Sequence, residues 1–261
     1  MIIAASFDLH DETMWENRAL MYGDGVFETI RLVHNRMPLW AWHQQRLQQS
    51  CAYLQIKTPD LKAMAGLIQD QATESNAVIR LTVFRQQATR GYQPHSHACE
   101  WLMSQHPYQP QSHRQTLALA DQRLTPQPIL RAMKHLNRLP QILIANELCD
   151  KKVDDLVVLN QQDDVIETTC QNLLVIKNNQ IYTPDMQYCG VEGVALSWLK
   201  RQLALNTVKL KLQDIKDSDA VMTANAIHGF RVVKSIKSLG SFQINHPICD
   251  RIHSLWQHLI D

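Results

Sequence analysis

The sequence has no surplus of either charge: 26 Lys and Arg face 25 Asp and Glu, for a formal net charge of +1. A chain that grips nucleic acid usually carries a basic excess to neutralise phosphates, so no nucleic-acid partner is expected. Long apolar runs are missing as well. None approaches the roughly 18 to 20 residues needed to cross a bilayer. The stretch Met1 to Glu12 carries acids where a secretory leader needs a basic and then an apolar segment. Neither membrane residence nor export is therefore expected.

The six cysteines (Cys51, Cys99, Cys149, Cys170, Cys189 and Cys249) include no CxxC pair. That is the pattern of buried or idle thiols in a reducing compartment, and a cytoplasmic protein is expected. Of the 12 His, His95 and His97 sit close together in a polar stretch, without further ligands at the spacing of a tetrahedral site, so no metal is expected. There is no internal repeat and no low-complexity tract. What remains is an ordinary globular composition, 45% hydrophobic and 20% charged, over 261 residues, enough for one large domain or two modest ones.

Helical and extended signals alternate along the chain. Trp40 to Leu54 reads as a helix with Leu47, Cys51 and Leu54 on one face, and Leu61, Met64, Leu67 and Ile68 repeat the spacing. Ala77 to Phe84 is rich in β-branched and aromatic residues and alternates as a strand does. Glu100 to Ser104 and Thr116 to Ala120 look like further strands. Gln and Pro then accumulate, which disfavours helix and strand pairing, so a domain junction is expected within Ala120 to Arg131.

Beyond the polar segment MKHLNR, a helix is expected from Leu139 to Cys149. Short strands follow at Leu156 to Leu159, Val165 to Glu167, Leu173 to Ile176 and Gln180 to Tyr182, with turns at Asp163-Asp164 and Asn178-Asn179. Gly190 to Gly193 opens a helix reaching about Ala204. Strands at Ala220 to Thr223 and Arg231 to Ser235 precede a last helix, Ile248 to Leu259. The fold class is α+β, with an N-terminal domain over residues 1–120 and a strand-rich C-terminal domain over 121–261.

Three features of the second half suit a phosphorylated cofactor: Lys134 at an element boundary, Glu167 after a strand, and Gly190-Val-Glu-Gly193 at a helix start, where backbone N–H groups and the helix dipole favour an anion. Each alone is a common structural feature; their order is more specific. Gly23-Asp-Gly-Val-Phe-Glu-Thr29, His43-Gln-Gln-Arg46-Leu47, Lys134, Glu167, Thr183-Pro184 and Gly190-Val191, in that succession, resemble the fold-type IV pyridoxal-phosphate enzymes over about Tyr22 to Val233. Within that family Lys134-His-Leu-Asn-Arg-Leu139, Arg90-Gly91-Tyr92 and Cys189-Gly-Val-Glu-Gly193 are most similar to the aminodeoxychorismate lyases.

The resemblance implies a two-lobed enzyme with pyridoxal 5'-phosphate. Lys134 would be the catalytic lysine that carries the cofactor, which needs an amine that can be neutral near pH 7. Glu167 would face the pyridine nitrogen and keep it protonated. Arg46 would grip the phosphate with its planar fork, together with the backbone of Val191 and Glu192 and, at a second turn, Asn225. That second turn departs from the family pattern: Ala224 and Ala226 stand where aminotransferases often carry Ser and Thr.

The implied reaction is cleavage of 4-amino-4-deoxychorismate to 4-aminobenzoate and pyruvate, a step towards folate. The alternative is a D-amino-acid or branched-chain aminotransferase, against which Leu136-Asn-Arg138 stands where those enzymes commonly show a tyrosine. A dicarboxylate small-molecule substrate calls for cations, with Arg31, Arg80, Arg85, Arg90 and Arg138 as candidates, Arg90 favoured, Tyr92 beside it and Thr29 facing the site. Asp24 and Glu28 read as structural acids. The family also implies a homodimer, with Met21, Tyr22 and Phe27 either at that contact or in the core.

Overall fold

The computed structural model describes residues 1–86, 90–130 and 133–261, without the side chain of Thr13. Their contacts divide into two compact units. One comprises Met1–Gln109 and Met133–Asn137, and the other holds the rest of the chain from Pro110, including Arg138–Asp261.

The first unit contains β1 (Ile2–Ala5), α1 (Arg18–Tyr22), β2 (Gly25–Leu32), α2 (Trp40–Leu54), α3 (Leu61–Gln71), β3 (Ala77–Arg85) and β4 (Cys99–Pro107). The strands form an antiparallel sheet in the order β1-β4-β3-β2. Strand period 2 sends Val26, Ile30 and Leu32 of β2 and Ile79, Leu81 and Val83 of β3 to one face, where Leu47, Cys51, Met64 and Ile68 of the two long helices meet them in a single core. Asp60 starts α3 by accepting the Lys62 and Ala63 N–H groups at 3.0 Å each. Both helices lie where their apolar spacing put them.

The second unit holds β5 (Arg114–Leu119), α4 (Leu139–Asn146), α5 (Leu148–Lys151), β6 (Asp155–Leu159), β7 (Val165–Thr168), β8 (Asn172–Lys177), β9 (Gln180–Pro184), α6 (Val194–Gln202), β10 (Asn206–Val208), α7 (Leu212–Lys216), β11 (Ala220–Asn225), β12 (Gly229–Ile236), β13 (Gly240–Ser241) and α8 (Pro247–Ile260). Its sheet runs β10-β9-β8-β11-β12-β5-β6-β7, with β13 on β12, and mixes parallel pairs (β5 with β6 and β12) with antiparallel ones. Side chains from β5 to β8, β11 and β12 share one core, including Leu117, Val157, Leu173, Val221 and Val233. Trp198 of α6 and Trp256 of α8 pack on Phe230 of β12, with ring centres 5.6 to 6.0 Å apart. None of the described helices is long and apolar enough to cross a membrane.

Two expectations need correction. The junction falls at Gln109/Pro110, not at 120/121, because β5 pairs with β6 and β12 and so belongs to the second sheet; the far end of the expected junction, Arg131, lies outside the described residues. Lys134 stands, as expected, between a turn at 128–130 and the helix that begins at Leu139, in an extended segment that returns to the first unit on the edge of β2. The expected helix from Leu139 to Cys149 is interrupted at Glu147 and resumes as α5.

Candidate active site

Each unit carries its own group of chemically competent residues. In the first, the Lys134 segment adds a short strand to the free edge of β2. The Phe27 N–H donates to the Lys134 carbonyl (2.8 Å), the Leu136 N–H to the Gly25 carbonyl (3.0 Å), and the Asn137 amide donates to the Gly23 carbonyl (3.0 Å). These bonds fix the backbone of the lysine. Its Nζ lies 4.6 Å from the centre of the Phe27 ring, and the Arg80 guanidinium carbon lies 3.9 Å from the same centre.

Two cations on one ring each gain about 0.5 to 2 kcal/mol from the quadrupole and fix where they stand. Thr29, two residues beyond Phe27 and therefore on the same face, pairs with Arg80 across the strands. Burial pushes the Arg80 guanidinium below its usual pKa, and among the described residues it has no hydrogen bond or ion pair.

Glu28 points to the opposite, core face of β2. It accepts from Arg46 Nε (2.8 Å) and Nη2 (2.5 Å) and is 2.7 Å from His43 Nδ1. Burial alone would raise the Glu28 carboxyl, but the charge and hydrogen bonds of Arg46, with the His43 bond, pull it down to about 2. Burial pushes His43 down, only partly opposed by Glu28, so its neutral ring donates from Nδ1. His43 and Arg46 are three apart on α2 and share a face, which is why one carboxylate reaches both.

In the second unit, Glu167 is buried one residue before the end of β7, and its Oε2 accepts the Val191 N–H at 3.0 Å. Gly190 takes φ +85, and a Cβ there would lie 2.7 Å from Ile166 Cγ2. Asn172 staples the same turn: its Oδ1 accepts the Gly193 N–H and its Nδ2 donates to the Val191 carbonyl, both at 2.8 Å. Burial and the neighbouring Glu167 push the Cys189 thiol up to about 12, so it is inert. Among the described residues no group of three or more His, Cys, Asp or Glu is placed to hold a metal ion.

Several expected site residues have other partners. Val191 gives its amide to Glu167, and the Glu192 side chain binds Lys200 (2.7 Å) and Ser197 (3.1 Å). Asn225 caps its own turn, accepting from the N–H groups of Ile227 (3.1 Å) and His228 (2.8 Å). Arg31 donates to the Leu32 and Ala77 carbonyls and lies 3.3 Å from the Tyr108 ring centre. Arg85 is 3% exposed and fully engaged by Asp24 and three carbonyls.

Asp24 also binds Arg18, whose other nitrogens hold the Gly91 and Tyr92 carbonyls, so Asp24 and Glu28 are both held in ion pairs. Arg90 is exposed and Tyr92 is 87% exposed, its ring against Tyr22. Arg138 is half-buried at the start of α4. Phe27 is buried, on the face of β2 that carries Lys134 and Arg80, while Met21 is exposed. The sequence reading did not single out Asn172; the one signal for it was its place five residues after Glu167, where the turn into β8 ends.

A family model described as Amino-transferase class IV matches residues 25–236. The chain is 30% identical over 248 residues to an aminodeoxychorismate lyase of Vibrio harveyi, covering 89% of this chain and 90% of that one. It is 25% identical to a D-alanine aminotransferase of Listeria innocua, over 80% and 73% of the two chains. The crystal structure of the 4-amino-4-deoxychorismate lyase of Pseudomonas aeruginosa superposes with a TM-score of 0.87 at 25% identity, over 98% of this chain and 96% of that one. The chain belongs to amino-transferase class IV, whose members work with pyridoxal 5'-phosphate.

Proposed function

We propose that this protein is a pyridoxal-phosphate lyase that converts 4-amino-4-deoxychorismate to 4-aminobenzoate and pyruvate, a step towards folate. The observation that carries the reading is the pair on the Phe27 ring: an amine, Lys134, and a guanidinium without an acceptor among the described residues, Arg80, on one sheet face. A substrate that is an amine and a dicarboxylate needs those two groups. The Vibrio and Pseudomonas relatives support the choice.

The residues present fit the cofactor. In the second unit Glu167 is a buried carboxylate that would serve a protonated ring nitrogen, and glycines at 190 and 193 keep side chains out of the turn; in the first, Arg46 offers a guanidinium oriented by Glu28 that would serve the phosphate. When bound, the cofactor supplies an electron sink for the substrate carbon that loses a proton. Lys134 supplies the amine that holds it and then acts as the base at the amine-bearing ring carbon.

As that proton leaves, the ring electrons expel the enolpyruvyl oxygen and the ring becomes aromatic. Lys134 returns the proton to the departing three-carbon unit, which leaves as pyruvate, so no water and no second amino acceptor is consumed. Glu167 would hold a negative charge for the cofactor's ring nitrogen. Arg80, with Thr29 beside it, binds a substrate carboxylate through charge-assisted bonds, and the exposed Arg90 serves the other.

We further infer a cytoplasmic homodimer. Leu139, Ile142 and Leu143 are exposed at helical spacing on α4, an apolar face that supports such a contact. The rival is a transaminase for D- or branched-chain amino acids. Incubation with those amino acids and 2-oxoglutarate separates the two: no more than trace glutamate is expected, and rapid glutamate formation without 4-aminobenzoate from aminodeoxychorismate would reverse the assignment.

A further inference from the structure

Away from the residues that would touch cofactor or substrate, the second unit holds a buried polar network centred on Asp155, which is 1% exposed. Its Oδ1 accepts from the Leu156 N–H (2.8 Å) and from Thr169 through N–H (3.1 Å) and Oγ1 (2.5 Å). Its Oδ2 accepts from Thr168 Oγ1 (2.7 Å) and Gln171 Nε2 (2.6 Å). Cys170 Sγ stands 3.8 Å from the same oxygen. Among the described residues Asp155 has no direct ion pair. Its charge reaches a cation through one amide: Gln171 Oε1 accepts from Arg231 Nη2 (2.8 Å) and from Thr223 Oγ1 (2.9 Å).

Removing a carboxylate from water costs several kcal/mol, and the turn it holds is already closed by its own backbone, through the Thr168 N–H to the Gln171 carbonyl at 2.8 Å. The four bonds from Thr168, Thr169 and Gln171 tie the turn to Asp155 at the start of β6, beyond what its own backbone bond and the β6–β7 ladder supply, and so restrain its tilt. The residues at its two ends show the consequence. Glu167 stands immediately before the turn and accepts the Val191 N–H; Asn172 stands immediately after it and grips Val191 and Gly193. One rigid four-residue crossing thus sets both side chains that fasten the Gly190 to Gly193 turn. A tilt of even about 0.5 Å at Glu167 would carry its 3.0 Å bond out of the strong range.

We propose that Asp155 is a positioning residue: through Thr168, Thr169 and Gln171 it fixes the Glu167 carboxylate and the Gly190 to Gly193 turn in one geometry, and so sets how tightly the cofactor is held. The inference rests on the cofactor reading above. The test is a double-mutant cycle read as equilibrium binding, with pyridoxal 5'-phosphate titrated into the cofactor-free full chain and followed by its visible absorbance, and with thermal unfolding recorded for every variant.

Asp155→Asn keeps the shape and loses the charge. It is expected to weaken binding about tenfold when Glu167 is present and by less than about twofold in the Glu167→Gln background, the coupling seen between groups that share a network. Equal losses in both backgrounds, or no loss, would overturn the inference, because a merely structural anchor acts regardless of what stands at 167. Should Asp155→Asn not fold, Thr169→Val, which removes one donor at a half-buried position, carries the same cycle with a smaller coupling in the same sense. Failure of the wild type to bind overturns the cofactor reading and this inference with it; equal losses overturn this inference alone.

Discussion

Adding one methyl group at Gly193 tests whether the turn that precedes α6 is held as described. The backbone there, φ −72 and ψ 147, suits any residue, so Gly193→Ala carries no torsional strain. Its Cβ would stand 2.5 Å from Asn172 Oδ1, whereas ordinary contact begins near 3.4 Å, so the two must part by roughly 0.9 Å. That displacement takes the 2.8 Å bond from the Gly193 N–H beyond hydrogen-bond range and drags the Asn172 amide off the Val191 carbonyl.

Two bonds of a buried amide, at about 1 to 3 kcal/mol each when left unmade, put the cost at about 2 to 6 kcal/mol. At about 2 to 4 °C per kcal/mol for a chain of this size, the melting temperature should fall by about 5 °C or more, and cofactor affinity should fall by about tenfold or more. Differential scanning fluorimetry and cofactor titration measure both. In an Asn172→Ala background the methyl meets no oxygen, so Gly193→Ala should cost little more there. A single variant that melts within about 1 °C of wild type and binds normally would refute the geometry. The control is Gly66→Ala within α3, where an added Cβ meets nothing within 4 Å; it should stabilise by about 0.5 to 1 kcal/mol.

Stability should also fall in acid for a reason that can be isolated. The Glu28 carboxyl sits at about 2 against an ordinary 4.5, so its contribution is complete above pH 4.5 and lost as pH falls towards 2. His43 is likewise depressed, and its part begins to fade below its ordinary 6.5. Urea denaturation across pH should show this acid limb, and Glu28→Gln should flatten its lower part while costing about 3 to 5 kcal/mol at neutral pH, because it takes the buried carboxylate away from Arg46; an unchanged limb would contradict the account. Arg80→Gln should raise KM for aminodeoxychorismate about 10- to 100-fold with a smaller effect on kcat, as loss of a charged hydrogen bond to substrate requires. Arg31→Gln should change neither by more than about threefold, because its guanidinium is committed to carbonyls and Tyr108.

Periodicity read the helices α2, α3, α6 and α8 and the strands β3 to β9, β11 and β12 well, because they bury apolar residues at helical or alternate spacing against the core of their own unit. It did not mark β2, since the core-facing position between Val26 and Ile30 is a carboxylate, Glu28, whose partners His43 and Arg46 come from a helix fifteen or more residues on. The Lys134 strand was hidden for a different reason: three bonded residues on a distant edge leave no periodic trace.

Lys134, Glu167 and Arg46 were singled out by motif order; the structure places Lys134 on a short strand at the β2 edge, Glu167 beside the Gly190 turn and Arg46 against Glu28. The arginines were not legible. Arg31, Arg80 and Arg85 look alike in sequence, and only the acceptors around each, visible in three dimensions, single out Arg80. Asn172 and Asp155 work through atoms that sequence does not place together.

The central claim is most directly tested by the release of 4-aminobenzoate from 4-amino-4-deoxychorismate, with wild type and Lys134→Ala side by side and pyridoxal 5'-phosphate supplied to both. The account predicts steady release by the wild type, with equimolar pyruvate and no amino acceptor added, and loss of at least about a thousandfold in the variant. Release that persists in Lys134→Ala, or a wild type that makes none, would contradict it.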